Sequence, residues 1–342
     1  MGYSVDILNN IRMNASTEFQ SRIPEATRNN IAEIGQAFQT YSMLYNEFCE
    51  ALINKIGKTI ISQKMFKNPL ARFKSGGITS PHDIEEIFVE MAKAEGAYDP
   101  EGKNPLGRRA PSDVKVVYHR QNRQDYYAIS IGDIDFVRVF RSEATLDVFI
   151  KGQINSVYSA DEYDEYQAMK NVLATFKNAE GNAPGYFDYE VTDMEAATSK
   201  EEWAKEFVKA VRKAVKDAKF PSTQYNVAGV KTWSKPSELV LLLNKDVTVE
   251  VDVERLASAF HQSETDIKVV PTIIDMDDFG SLTDTYGLLV DREWFKIYDT
   301  LMTMRQQSPN AQGLFTNWFF HHHQILSASP FKTAMRFKKV GA

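Results

Sequence analysis

The stretch LFTNWFFHHHQILSA, residues 314–328, sets three adjacent histidines, His321, His322 and His323, in a run of aromatic and aliphatic side chains. Its composition reads as a β-strand. Neighbouring side chains of a strand point to opposite faces. His321 and His323 therefore share one face, while His322 joins Trp318 and Phe320 on the other. All three rings cannot meet on one ion without breaking the strand. Two readings follow. Either His321 and His323 bind a metal with a third ligand from elsewhere, or the rings fill half-buried sheet positions and hydrogen-bond to backbone. The second is the expectation.

Working outward, IKVVPTIID (267–275), GLLVDREWFKIYD (287–299) and KTAMRFKKV (332–340) read as further strands. ELVLLL (238–243) is a continuous apolar run, the mark of a strand buried on both faces. After a turn at NKD, Val247, Val249 and Val251 alternate like a strand, and Asp252 caps a short helix through Phe260. YFDYEV (186–191) alternates like a short strand.

Upstream the apolar spacing is helical. Residues 24–57 read as one helix, with Pro24 in the first turn and Gly57 at the stop. Ile31, Ile34, Phe38, Tyr41, Tyr45, Phe48 and Leu52 form its stripe, and Cys49 beside it reads as core. Residues 58–75 look extended, with Asn68-Pro69 as punctuation. Two helices are expected at 142–158 and from a capping box at Ser159 and Glu162 onward, the latter carrying Tyr166, Met169, Leu173 and Phe176. A second box, Ser199 and Glu202, opens a helix to about Lys219 with Trp203, Phe207, Val211, Ala214 and Ala218 facing inward. Helices in the middle and strands at the end indicate an α+β chain.

Residues 84–131 read as a hairpin-like excursion. Residues 84–94 suit strand or helix, and 96–111 is a loop rich in Pro and Gly. Val114, Val116 and Tyr118 then alternate, RQNRQD (120–125) turns, and Tyr127, Ile129 and Ile131 alternate again. A polar, basic tip cannot bury itself, so it reaches solvent or another chain.

The chain has 342 residues, 43% of them hydrophobic and 25% charged, as in folded soluble proteins. A net charge of −6 argues against a coat held on nucleic acid by bulk charge. One cysteine excludes an internal disulfide and suits a reducing compartment. The N-terminus lacks the pattern of a secretory signal, and no apolar run approaches a membrane span. Charge is segregated. Residues 51–82 hold no acid but carry Lys55, Lys58, Lys64, Lys67, Arg72 and Lys74, and 300–342 is again acid-free, whereas Asp161, Glu162, Asp164 and Glu165 cluster. Opposite patches of this kind can meet between copies and select their register. There is no phosphate loop, no nucleophile elbow and no zinc spacing. DMDDFGSLTD (275–284) is dismissed as a calcium loop, because no Glu stands at the twelfth place.

Six segments in order, KNPLARFKSG (67–76), NRQDYYAISI (122–131), YSADEYDEYQAMK (158–170), LNKDVTVEVDVERLASAF (243–260), GLLVDREWFKIYD (287–299) and NWFFHHHQILSASPFKTAMRF (317–337), together resemble the major capsid proteins of phi29-like short-tailed bacteriophages. The resemblance covers nearly the whole chain. It implies an HK97-type α+β capsid fold: a mobile N-terminal arm and helix (1–77), an extended hairpin loop (78–131), a spine helix with peripheral-domain helices (132–219), an axial domain (220–285) and a peripheral-domain sheet (286–342). His321 and Gln324 match the family pattern. His322 and His323 stand where apolar and aromatic residues are usual, which marks packing positions. Some relatives append a C-terminal immunoglobulin-like domain, and this chain, ending at Ala342, is expected to lack it.

The implied function is a structural subunit that self-assembles into an icosahedral or prolate phage head. Its partners are itself, in pentamers and hexamers, with scaffolding, portal and head-decoration proteins. Packaged double-stranded DNA is enclosed rather than specifically bound. The place is the virion capsid, assembled in the host cytoplasm, with no catalytic residue, cofactor, metal or membrane contact. Candidate subunit-interface residues are Lys64, Lys67, Arg72, Lys74, Arg108, Arg109, Arg120, Arg123, Asp161, Glu162, Asp164 and Glu165. The alternatives are a bacterial nanocompartment shell of the same fold and, from another class, a soluble metalloenzyme using His321 and His323.

Overall fold

The computed structural model describes residues 3–40, 44, 47–48, 66–78, 83–94, 112–132, 143–182, 184–251, 272–307, 310 and 312–340. In chain order its elements are α1 (Tyr3–Asn14), α2 (Thr17–Arg22), α3 (Ile31–Thr40), β1 (Lys74–Gly77), β2 (Asp83–Val89), β3 (Val114–Arg120) and β4 (Arg123–Gly132). There follow α4 (Glu143–Thr175), β5 (Phe187–Thr192), α5 (Lys200–Ala218), β6 (Leu239–Asn244), α6 (Lys245–Glu250), β7 (Thr272–Met276), β8 (Thr285–Asp291), β9 (Phe295–Gln306), β10 (Phe315–Ala328) and β11 (Ala334–Val340). The chain divides into two compact units. Met1–Asn68, Arg123–Glu165 and Leu301–His323 make the first, and Pro69–Asn122, Tyr166–Thr300 and Gln324–Ala342 the second.

The second unit is built on a five-stranded sheet in the order β5-β11-β8-β6-β7. β6 is buried along its apolar length, as its composition requires. Leu239, Leu241 and Leu243 face Trp203, Phe207, Val211 and Ala214 of α5. Val240 and Leu242 share the opposite core with Tyr166, Met169 and Leu173 from the C-terminal part of α4. The sheet thus has a helix on each face, and each buried leucine is worth roughly 1.5–3 kcal/mol. The α5 start is the expected one, since Ser199 Oγ accepts the Glu202 N–H at 3.2 Å.

In the first unit α1, α2 and α3 bury Leu8, Ile11, Phe19, Ile31, Ile34 and Phe38 against one another, with Leu44, Phe48, Ile131 and Trp318. The N-terminal segment, expected as a mobile arm, is therefore helical and supplies most of this core. The helix read from residue 24 starts at Ile31. The connector before it uses its polar groups differently. Asn9 bonds both backbone groups of Ala26, at 2.6 and 2.9 Å, and Arg12 Nε donates to the Ile23 carbonyl at 2.7 Å. Tyr41, Tyr45, Cys49, Leu52 and the stop at Gly57 lie outside the described residues.

Three other expectations are corrected. The helices read at 142–158 and from Ser159 are one helix of 33 residues. A capping box acts where an extended chain enters a helix, and here the residues before Ser159 are already helical. The valines of 247–251 lie in and beside α6, because Asn244 caps it by accepting the Asp246 N–H at 3.0 Å. β4 leaves the hairpin: β2 pairs with β3 alone, from Asp83↔Arg120 to Val89↔Val114, while β4 flanks β10 in the sheet β1-β9-β10-β4. One sheet runs across the boundary placed at 285, since β6 and β7 share it with β8 and β11. Residues 58–65, the hairpin tip at 96–111 and the short helix at 252–260 lie outside the described residues.

Gly287, on β8 opposite Leu243, shows how tightly this sheet is packed. A Cβ there would stand 2.8 Å from the Leu242 carbonyl oxygen and 3.0 Å from Leu243 Cδ2. We expect Gly287→Ala to destabilise the subunit by about 1–3 kcal/mol, as overpacking against backbone does. Urea unfolding of the unassembled subunit checks this, and an unchanged midpoint would contradict it.

Candidate functional site

The chain's charged residues divide into a set used inside each unit and a set left at the surface. Arg123, Asp161 and Glu165, expected at subunit contacts, are buried within the first unit. Arg123 Nη2 donates to Asp161 Oδ1 at 2.8 Å, and its Nε to Asp125 Oδ2 at 2.6 Å. Burial alone would lower the Arg123 pKa, but the carboxylates of Asp125 and Asp161 raise it above the ordinary value. The Tyr127 hydroxyl accepts from Arg123 at 3.1 Å and donates to Asp164 at 2.7 Å. Glu162 accepts the Asn68 N–H at 3.0 Å, and Glu165 accepts from the Asn68 side chain at 3.3 Å. The acidic cluster on α4 is thus largely engaged by its own unit. Only Asp164 keeps an exposed side chain.

His322 completes this network. Its ring is buried, with Nδ1 2.8 Å from both oxygens of Asp161. The carboxylate accepts, so Nδ1 carries the proton. The alternation read from the sequence holds: Thr316, Trp318, Phe320, His322 and Gln324 are buried, and His321 and His323 are half-buried on the other face. The expected partner was backbone, and a carboxylate is found beside the ring, which neither position's type signalled alone. His321 and His323 stand with ring centroids 6.3 Å apart. Burial, then the neighbouring histidines, lowers the His323 pKa. Among the described residues no group of three or more His, Cys, Asp or Glu could hold a metal ion.

Two further charge clusters lie in the second unit. Lys170 Nζ sits 3.1–3.2 Å from all four carboxylate oxygens of Asp277 and Asp278, in the segment that loosely resembles a calcium loop. The ammonium stands where a cation would. Glu86 of β2 is a hub. It accepts from His119 Nε2 at 3.0 Å and Ser329 Oγ at 2.9 Å, and pairs with Lys296 at 3.1 Å. Ser327 Oγ lies 2.8 Å from His119 Nδ1. Burial would raise the Glu86 pKa, but the His119 hydrogen bond and Lys296 outweigh it and push it down to about 2.

These contacts fix the inner face of the β2–β3 hairpin, together with Phe88 stacked on Phe331 and Lys115 donating to the Ala228 carbonyl at 2.8 Å. On the outer face Ile87, Val89, Val114, Val116 and Tyr118 are 41–59% exposed, in paired positions. Of the other interface candidates, Lys67, Arg72 and Arg120 are exposed, and Arg120 lies 3.7 Å from Asp83. Lys74 is half-buried, 3.7 Å from Asp299. Lys64, Arg108 and Arg109 lie outside the described residues.

The charged groups of the interior are thus paired, and the apolar face of the hairpin is left at the surface. The fold matches phage capsid subunits: a chain of the capsid structure of Staphylococcus phage Andhra aligns with a TM-score of 0.62 at 10% identity, over 83% of this chain and 87% of that one. The model of the Phi29-like phage major capsid protein family matches residues 8–338. The chain is 33% identical to the major capsid protein of Bacillus phage B103 over 337 residues, 98% of this chain and 72% of that protein. With the major capsid protein of Bacillus phage PZA the identity is 34% over the same shares. The chain belongs to the phi29-like phage major capsid protein family. It is a structural component of the virion, which assembles with other capsid subunits into a phage shell.

Removing one partner of a buried pair strands the other charge. Asp161→Asn is expected to cost about 3–5 kcal/mol, read from urea unfolding, because Arg123 stays buried. A cost below about 1 kcal/mol would show that solvent reaches the guanidinium. Glu86 gives a pH signature. Its folded pKa lies below its unfolded value, so the stability it contributes is present above about pH 4.5 and is lost as pH falls toward about 2. Glu86→Gln is expected to lower stability at pH 7 by about 3 kcal/mol and to flatten the acid limb. An unchanged acid limb in the variant would refute this.

Proposed function

We propose that the shell is a closed icosahedral or prolate head, made of pentamers and hexamers of this chain, that encloses packaged double-stranded DNA. The observation that carries this reading is the outer face of the β2–β3 hairpin. Five apolar side chains lie exposed side by side on a two-stranded ribbon. A contiguous exposed apolar face marks a protein contact. In a family whose members build shells from a repeated subunit, the natural occupant is a neighbouring copy. The Pro/Gly-rich tip at 96–111 extends that contact, with Arg108 and Arg109 holding carboxylates of the neighbour in two-point contacts. Lys64, Lys67 and Arg120 serve the same lattice. Contacts of this obligate kind bury roughly 2,000–5,000 Å².

A net charge of −6 gives no overall attraction for DNA, so confinement holds the genome and no base-specific contact is needed. The chain needs no catalytic residue and no cofactor for this role. Scaffolding, portal and head-decoration proteins are its further partners, and assembly takes place in the host cytoplasm.

Electron microscopy of purified particles, with analysis of their nuclease-resistant contents, tests the proposal. The expected result is closed shells holding double-stranded DNA, with a much lower shell yield for Ile87→Ser combined with Val116→Ser. Shells filled with a cargo enzyme and no DNA would make the protein a nanocompartment. A dispersed subunit with one tightly held metal per chain would favour the enzyme reading through His321 and His323. Normal yield from the hairpin variant would remove the hairpin from the contact.

A further inference from the structure

The outward face of α5 is a stripe of cations. Lys209, Arg212, Lys213 and Lys216, with Lys219 at the C-cap, follow one another at spacings of three and four, so they stand on one side of the helix. The opposite side, with Phe207, Val211, Ala214 and Ala218, is buried. The four lysines are exposed, and none of the five cations forms an ion pair among the described residues. Lys213 overlies the Tyr189 ring at 5.8 Å. The acids of the helix are engaged elsewhere. Glu201 pairs with Lys205 at 3.0 Å, Glu206 accepts from the N–H and the hydroxyl of Thr192 at 3.1 and 3.0 Å, and Asp217 accepts from the Tyr189 hydroxyl at 2.7 Å. Glu202 lies in the first turn, ahead of the stripe. Arg212 adds a second signal, because its Nε is buried without a hydrogen-bond partner among the described residues. A buried donor left in that state is costly.

Helix stability does not explain the stripe. Cations in the last turn complement the helix dipole, which accounts for Lys216 and Lys219 but not for Lys209 or Lys213. Like charges three or four residues apart repel, so in the free subunit the stripe is a cost that an anion would lift. A protein partner suits it poorly. Contact cores favour aromatic residues and Arg and are depleted of Lys, and no exposed apolar side chain lies between Lys209 and Lys219. A run of phosphates suits it well. The helix rises about 15 Å from Lys209 to Lys219, and a duplex presents one phosphate per about 1.7 Å of its axis. The geometry points to this face of α5 as a sequence-independent contact for the backbone of double-stranded DNA. The lysines meet phosphates as point charges, and Arg212 gains the anion it lacks. The inference rests on the reading that the shell encloses DNA, and it gives the wall a local contact where the chain as a whole, at −6, has no attraction.

The test measures binding of a short random-sequence duplex by the unassembled subunit. Between about 50 and about 200 mM salt the wild-type affinity is expected to fall about a hundredfold, as the release of counterions from about four phosphates requires. Lys209→Gln with Lys213→Gln and Lys216→Gln is expected to bind about tenfold or more weakly at the lower salt, and to lose only a few-fold over the same range. A matched change of three exposed lysines off the stripe, Lys93→Gln, Lys177→Gln and Lys245→Gln, is expected to leave both readings near wild type. Equal losses in the two variants, or no binding by the wild type at the lower salt, overturn the inference. The stripe variant is expected to melt no lower than wild type. Should it do so, Lys209→Gln with Lys216→Gln is read by the same criterion. In cells that make all the head proteins the stripe variant is expected to form particles at wild-type yield. A fall in yield with unchanged DNA affinity overturns the inference and makes the face a contact for an acidic protein. Wild-type particles without DNA, with the salt-dependent affinity intact, would remove the genome-enclosing reading alone. Particles filled with DNA, from subunits whose affinity the stripe does not change, would remove only the inference.

Discussion

The strand at 239–243 has no face left for water, and the second unit is arranged around that constraint. A strand apolar on both sides must be covered on both sides, so α5 and the C-terminal part of α4 flank the sheet. Its neighbours follow suit. β8 is buried at every position, and Gly287 within it carries no side chain because the β6 backbone leaves no room for one. β11 places Met335 and Phe337 in the α5 core. Arg336, with the opposite orientation, is buried as well and holds Asp188 in a two-point contact at 2.6 and 2.7 Å, with Asp284 at 3.1 Å. A guanidinium can sit there because its donors are matched by carboxylates.

The same rule explains why the charges distribute as they do. Asp161, Lys170, Glu86 and Arg336 each meet partners of opposite sign within their own unit. Such pairs add little net stability compared with apolar packing, yet removing one member is severe. They therefore specify one arrangement among many that apolar burial alone would tolerate. Lys170 is the clearest instance, since a mobile cation between Asp277 and Asp278 would depend on ion concentration, while a tethered ammonium does not.

How much of this was legible follows from the range of each interaction. Signals carried within a few residues were readable: the continuous run at 239–243, the Ser199 cap, and the alternation that buries His322 and leaves His321 and His323 on the other face. Local signals misled where a tertiary partner overrode them. Ser159 and Glu162 have the spacing of a helix start but lie inside a helix that was already running. The valines after β6 alternate like a strand, yet Asn244 caps a helix there. The acidic cluster of α4 looked like a surface patch, because nothing in the sequence places Asp161 beside His322, 161 residues away, or Glu165 beside Asn68. Charge clusters announce composition, whereas burial depends on which distant residues arrive to pair with them.

The hairpin joins these two themes. In a two-stranded ribbon a slip of one residue exchanges the faces. Apolar residues lie on both faces of β2 and β3, Ile84, Phe88 and Val117 inward and Ile87, Val89 and Val116 outward, so hydrophobicity alone would not choose between the registers. Glu86 makes the choice. Turned inward it finds His119, Lys296 and Ser329; turned outward it would leave His119 buried without its carboxylate and Lys296 without its counter-charge. The hub thus determines which side chains the ribbon offers to its surroundings. It does so through polar contacts within one chain, so the ribbon's exposed face is set by the subunit's own residues.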